Sequence, residues 1–204
     1  MTLVLRQLSR AALPQIERDQ LTQGLARADL QVDRLTRLVG ELLDVSRLHS
    51  GRLGLTVEPV ILPDIVRDVV KRLAEELASA GCPVEIEMDA AVTGRWDRAR
   101  LEQVLTNLLT NAIKYAPGRP IKIAASRRDE WTTLAVSDQG PGIARDAQLR
   151  IFEPFERGTS PGEVEGLGLG LFIVNQIVQE HGGTVSVDSA PGKGATFRIL
   201  LPNG

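Results

Sequence analysis

The hydrophobic periodicity changes character once, near Leu55, and that change constrains the fold more than any other feature of the chain. Before it, apolar residues recur at helical spacing. Leu3, Leu5, Leu8 and Ala12 mark a short first helix. That helix is expected to end near Ala12 or Leu13, because Pro14 drives its predecessor out of the helical region. A longer helix is expected from about Gln15 to Leu48, with the stripe Leu30, Leu35, Leu38, Val39, Leu42, Leu43 and Val45 close to a heptad pattern. Arg34, Arg37, Glu41 and Arg47 occupy its other face, and Ser50-Gly51-Arg52 ends it. Two such amphipathic helices cannot bury their stripes alone, so a second copy forming a helical bundle is the simplest partner.

After Leu55, helices and strands alternate. Ile61 to Ser79 has helical spacing, with Ile65, Val69, Leu73 and Leu77 on one face. Asp97 to Tyr115 and Leu169 to His181 are also predicted helices, the last stopped by Gly182-Gly183. Strands are expected at Val84 to Met88, Ile121 to Ala125, Thr132 to Val136, Thr184 to Asp188 and Ala195 to Leu201. Arg127-Arg128-Asp129-Glu130 supplies one turn and Pro191-Gly192-Lys193-Gly194 another. Adjacent antiparallel strands mixed with three helices imply an α+β, two-layer sandwich, preceded by an α-helical hairpin. The domain division is therefore 1–54 for the hairpin and 55–204 for the sandwich. Gly158 to Gly168 has no periodic pattern and is expected to act as a lid.

Composition narrows the function classes. The 204 residues are 43% hydrophobic but only 3% aromatic, so the core is aliphatic. A net charge of −2 offers no basic face for nucleic acid. The single cysteine, Cys82, excludes an intrachain disulfide and most cysteine metal sites. No stretch approaches the ~20 apolar residues of a membrane span, and the first residues lack signal-peptide order.

Three local patterns carry chemistry. In Asn107-Leu108-Leu109-Thr110-Asn111-Ala112-Ile113-Lys114-Tyr115, the two asparagines are a helical turn apart and share a face with Lys114. Leu101, Leu105, Leu108 and Ala112 lie on the opposite, core-facing side. An asparagine amide oxygen is a hard neutral ligand suited to Mg²⁺; surface or capping asparagines are the plainer alternative. In Asp138-Gln139-Gly140-Pro141-Gly142-Ile143, a carboxylate at a strand end can accept from a base amino group while glycines admit a flat ring. An ordinary Gly-Pro turn would look the same. In Gly166-Leu167-Gly168-Leu169-Gly170-Leu171, alternating glycines open a helix whose N-terminus favours anions. A flexible hinge would read alike, and neither the Rossmann nor the Walker spacing is matched.

Together, in this order, the patterns resemble the catalytic domains of sensor histidine kinases of two-component systems, which share a fold with gyrase, chaperone and MutL-type ATPases. Asn107 to Tyr115 is similar to the family's asparagine box, Asp138 to Gly142 to its first glycine box, and Gly166 to Leu171 to its second. Ile151-Phe152-Glu153-Pro154-Phe155-Glu156-Arg157 resembles the phenylalanine box, and Gly192-Lys193-Gly194-Ala195-Thr196-Phe197 the closing turn and strand. Leu42-Leu43-Asp44-Val45-Ser46-Arg47-Leu48 resembles the end of the dimerisation helix.

The resemblance implies ATP and Mg²⁺ as cofactors. Asn111 would ligate Mg²⁺, Asn107 would lie by the γ-phosphate, and Lys114 would contact phosphates. Tyr115 would pack near the base or ribose. Asp138 would bind the adenine amino group, in a pocket shaped by Gly140, Gly142 and Ile143. Arg157 would reach the γ-phosphate, with Phe155 beside it in the same box. Gly166, Leu167, Gly168, Leu169, Gly170 and Leu171 would hold the lid end and phosphates, and Thr196 would line the adenine pocket. Asn107, Lys114 and Arg157 would be the catalytic set. Homodimerisation through the N-terminal helices, a response-regulator receiver partner and a cytoplasmic location, with the parent protein anchored in the inner membrane, are implied in the same way.

One departure concerns the acceptor. The family's phosphorylated histidine sits in a His-Glu-x-x-Thr-Pro-Leu type of segment, whereas this chain has only His49 and His181, neither with those neighbours. Thr2-Leu3-Val4-Leu5 resembles the residues that come directly after that segment in the family. The chain is therefore expected to begin just past it, to bind ATP-Mg²⁺ and not to phosphorylate itself. The alternatives are a non-catalytic kinase-like binding module and an ATPase using a glutamate such as Glu102 to activate water.

Overall fold

A computed structural model of the chain describes residues 54–89, 92–156 and 167–204, together with Gly24, Leu25, Ala28, Val32 and Gly40. The chain forms two compact units, Met1–Asp44 and Val45–Gly204. The five described positions of the first unit are all helical. The apolar stripe expected between Leu30 and Val45 lies outside the described residues.

Within the second unit the first described element is a strand absent from the sequence expectations, β1 (Glu58–Ile61). Helix α1 (Leu62–Arg72) comes next, with Pro63 in its first turn, where the missing N–H costs nothing. After Leu73 the chain continues as α2 (Ala74–Ser79). The expected single helix is thus divided at Leu73, yet Leu73 N–H still reaches Val69 O and Leu77 N–H still reaches Leu73 O. The stripe of Ile65, Val69, Leu73 and Leu77 therefore stays on one buried face.

Strand β2 (Val84–Met88) precedes a second unexpected strand, β3 (Thr93–Trp96), which pairs antiparallel with β1. Helix α3 (Arg98–Tyr115) turns Leu101, Val104, Leu105, Leu108, Leu109 and Ala112 inward. The hairpin of β4 (Ile121–Arg128) and β5 (Trp131–Asp138) is longer than its apolar alternation suggested. Only Asp129 and Glu130 turn, because Asp129 takes a left-handed conformation (φ 52°) and so closes a two-residue loop. Helix α4 (Arg145–Gln148), α5 (Gly170–Glu180), β6 (Thr184–Ser189) and β7 (Ala195–Pro202) complete the unit.

The five strands lie in the order β2-β4-β5-β7-β6, with β2 and β4 parallel and the other pairs antiparallel. Strand alternation sends Ile121, Ile123, Leu134, Val136, Phe197, Ile199 and Leu201 to one face. They pack with α1, α3 and α5, the second layer of an open α/β sandwich, into one mostly aliphatic core that also holds Trp96. Among the described residues no helix is long and apolar enough to cross a membrane.

Two polar knots fix the ends of the elements. The Asp97 carboxylate caps α3 by accepting from Arg100 N–H at 3.0 Å, and its other oxygen accepts from Thr56 N–H at 2.9 Å. Asp97 N–H in turn donates to His181 Nε2 at 3.0 Å, while Nδ1 of that ring lies 2.8 Å from Ile177 O. The second knot is Asn203, whose side chain accepts from Thr132 Oγ1 and donates to Asp129 O, closing the β4–β5 turn.

Candidate functional site

Helix α3 is the spine of the site. Asn107 and Asn111 emerge from it one turn apart, both half-buried, with Lys114 and Tyr115 at its C-terminal end. At Asn107, the side-chain Nδ2 donates to Gly170 O at 3.3 Å, so α5 begins directly against this asparagine. A Cβ on Gly170 would lie 3.7 Å from the Asn107 amide, in ordinary contact. The α5 N-terminus, with its outward N–H groups, is thereby set beside the asparagine face. At the other end, Lys114 Nζ sits 5.2 Å from the centre of the Tyr115 ring, a cation–π contact.

Beyond Tyr115 comes the Asp138 turn. A Cβ on Gly140 would stand 2.9 Å from Tyr115 O and 2.9 Å from Asp138 Oδ1, so only glycine permits this approach. Asp138 Oδ1 accepts from Gly140 N–H at 2.8 Å and from Ala195 N–H at 3.3 Å. No hydrogen bond among the described residues engages Oδ2. Burial raises the Asp138 carboxyl above the usual carboxylate range, and the two backbone N–H groups hold it back only in part. About eight residues of α3 separate the Asn107 and Tyr115 ends, roughly 12 Å along the axis, the scale of a nucleoside triphosphate.

The second glycine run meets the phenylalanine segment. Phe155 N–H donates to Gly168 O at 3.1 Å, and Gly168 (φ 73°) packs so closely that a Cβ would sit 2.6 Å from Glu156 O. Phe155 itself is left-handed (φ 68°) and 60% exposed, and for a non-glycine residue that conformation costs on the order of 1–3 kcal/mol. Phe152 instead packs edge-on against Phe197, with ring centres 6.5 Å apart. Leu169 is buried, while Leu167, Leu171 and Ile143 pack against the core from its rim.

Thr196 departs from the arrangement. In the β5–β7 register Asp138 pairs with Ala195 and Ser137 with Thr196. Alternation therefore puts Ala195 on the Asp138 side and Thr196 on the opposite face, where its hydroxyl donates to Ser137 Oγ at 2.9 Å. Arg157 and Gly166 lie outside the described residues. Ser189 and Gln148 join the framework behind Asp138, through Ile143 and Gly194, without a sequence signal, since neither stands in a distinctive spacing.

Glu102 turns away from the asparagine face. Its carboxylate takes Arg72 Nη1 and Arg98 Nε, each at 3.1 Å, bridging α1 and α3. The residue one turn before Asn107 is Gln103, which accepts from Arg100 Nη1 at 2.8 Å. Among the described residues no cluster of three or more His, Cys, Asp or Glu side chains could hold a metal ion.

This geometry defines a nucleotide-binding ATPase-type domain, and comparison with known proteins gives its family. Residues 96–204 match the family model described as histidine kinase-, DNA gyrase B- and HSP90-like ATPase. The sensor protein KdpD of Escherichia coli is 39% identical over 169 residues, covering 82% of this chain and 19% of KdpD. The crystal structure of full-length ShkA in complex with AMPPNP superposes with a TM-score of 0.80 at 30% identity, covering 98% of this chain and 41% of ShkA. The mycobacterial sensor histidine kinase MprB gives a TM-score of 0.64 at 29% identity, over 72% of this chain and 97% of that one. The chain belongs to this ATPase family and carries the catalytic ATP-binding domain of a sensor histidine kinase. It spans less than a third of the length of the curated relatives KdpD, KinB and SrrB.

Proposed function

We propose that this chain binds ATP with Mg²⁺ and is the donor half of a histidine phosphotransfer reaction, its γ-phosphoryl going to a histidine outside this chain and on to a response-regulator aspartate. The observation that carries the reading is the span of α3, which joins a carboxylate pocket beside Tyr115 to a helix N-terminus beside Asn107. A base bound at Asp138 would place its phosphates toward Asn107, Asn111 and α5. ShkA, bound to AMPPNP, supports the nucleotide.

The donor set fits Mg²⁺ rather than a fully protein-ligated metal. Asn111 offers one neutral oxygen, and the absence of a carboxylate cluster among the described residues leaves the remaining positions to phosphate oxygens and water. Bound Mg²⁺ would neutralise phosphate charge. The chain's own part is positioning: Asn107 orients the terminal phosphate, and Lys114 and Arg157 supply positive charge as it redistributes. Phe155 and the run from Leu167 to Leu171 form the edge of the phosphate end. Thr196 has no place in this pocket, and Ala195 takes its side of the sheet.

One observation weighs against the ATPase alternative. An ATPase needs a base to activate water, and Glu102 is held by Arg72 and Arg98 while Gln103 is not a base. Homodimerisation through the N-terminal helices and action at the cytoplasmic face of the inner membrane belong to the same proposal. Calorimetry tests its base: AMPPNP is expected to bind in a Mg²⁺-dependent manner, and Asp138→Asn to weaken binding at least about tenfold, the loss of one charge-assisted hydrogen bond. Equal affinity in the variant, or no binding by the unsubstituted chain, would overturn it.

A further inference from the structure

The Asp138 carboxylate reads a base only if its orientation is fixed, and the groups that fix it form a chain of hydrogen bonds reaching well outside the pocket. Ala195 N–H, which holds Asp138 Oδ1, belongs to the peptide unit whose carbonyl is Gly194 O. That carbonyl accepts from Ser189 Oγ at 2.6 Å. Ser189 Oγ also accepts from Ile143 N–H at 2.8 Å, so one hydroxyl joins the Gly194–Ala195 peptide to the end of the Asp138 loop. Gln148 completes the ring: its Nε2 donates to Ile143 O and to Ser189 O, both at 2.8 Å. Both partners are carbonyl oxygens, so the amide nitrogen must face them.

The steric fit is equally close. A Cβ on Gly142 would stand 1.9 Å from Ala190 O, and one on Gly194 would stand 2.1 Å from Asp138 O. The two turns are pressed together backbone to backbone, and Ser189 and Gln148 bridge them alongside Asp138 itself.

We infer that Ser189 and Gln148 are positioning residues for base selectivity. By fixing the Gly194–Ala195 peptide and Ile143, they hold Asp138 Oδ1 in place and leave Oδ2 aimed for a base amino group. They contact no nucleotide themselves. A purine with a carbonyl oxygen in place of that amino group offers Oδ2 an acceptor instead of a donor, so the orientation sets discrimination between the two bases. This inference rests on the nucleotide reading above.

The test uses the full chain with Ser189→Ala and Gln148→Leu, titrated calorimetrically with AMPPNP and with the inosine counterpart of that analogue. Each substitution is expected to weaken AMPPNP binding about five- to tenfold, the size of one or two lost hydrogen bonds, and to leave the inosine affinity within about twofold. The ratio of the two affinities then collapses by nearly the same factor. Ser189→Thr, which keeps the hydroxyl, is expected to restore the ratio and serves if Ser189→Ala fails to fold. A parallel loss for both nucleotides, or an unchanged ratio in Gln148→Leu, would overturn the inference. Failure of the unsubstituted chain to bind AMPPNP would instead overturn the nucleotide reading.

Discussion

At the scale of single residues, Asp138 sets the pH behaviour. Burial raises its folded pKa above the unfolded value, so the folded state binds more protons than the unfolded state in the window between the two. The group therefore costs no stability below the unfolded pKa, and stability is lost as pH rises through the folded pKa. On the proposed reading nucleotide binding runs the other way, because a base amino group would need the ionised carboxylate. AMPPNP affinity is thus expected to fall on acidification at a higher pH than an ordinary aspartate would dictate. Asp138→Asn should flatten that profile while raising the melting temperature at neutral pH; titration calorimetry and thermal melts across pH check both. The glycines give a second prediction. Gly192 (φ 75°) has open space around a Cβ, so Gly192→Ala should cost only the left-handed penalty, about 1–2 kcal/mol. Gly194→Ala adds a backbone collision with Asp138 O and should cost roughly 2–5 kcal/mol, read as the difference between their denaturant midpoints. Asp138, Asn107 and these glycines were singled out in the sequence less by any one spacing, which a turn or a capping asparagine explains as well, than by the order in which the patterns follow one another. Ser189 and Gln148 were not. A serine at a strand end and a glutamine in a short helix say nothing until the fold brings Ile143 and Gly194 to them.

Between elements, the decisive joint is the one from α3 to α5. Asn107 meets Gly170 at one end of the pair, and Asp97 meets His181 at the other. His181 Nε2 accepts from Asp97 N–H, so Nδ1 carries the proton toward Ile177 O, and the neutral ring satisfies a donor and an acceptor at once. Replacing it with alanine leaves a buried N–H without a partner. His181→Ala should therefore destabilise the unit by about 1–3 kcal/mol, a fall on the order of 2–12 °C in melting temperature for a domain of this size. A melt unchanged within 1 °C or so would show the joint to be dispensable. The helices that form it were visible in advance, since Leu101, Leu105, Leu108 and Ala112 keep a 3.6-residue stripe that tertiary packing then uses. Strands β1 and β3 were not visible. Glu58-Pro59-Val60-Ile61 and Thr93-Gly94-Arg95-Trp96 have no clean alternation, and each becomes a strand only by pairing with the other across some thirty residues. The break at Leu73 was equally silent, because the stripe runs through it unaltered.

On the scale of the whole molecule, the proposed chemistry divides between a donor and an acceptor. Phosphoryl transfer is chiefly positioning and charge stabilisation, so a domain that holds ATP needs an acceptor nucleophile delivered to it. The chain has two histidines. His181 is 9% exposed with both ring nitrogens engaged by backbone, so the lone pair on Nε2 is not available for attack. His49 lies outside the described residues, and its sequence neighbours, Leu48 and Ser50, include no acidic group to act as base. Incubated with γ-labelled ATP and Mg²⁺, the chain is therefore expected to acquire no acid-labile label, and His49→Gln is expected to change nothing. Adding a separate helical hairpin that carries an acceptor histidine should place label on the added hairpin alone, and Asp138→Asn should reduce it in step with the loss of nucleotide affinity. Label appearing on His49 without the added hairpin would show that donor and acceptor are both contained in this chain. Label absent in every case, with AMPPNP still bound, would favour the non-catalytic binding module instead.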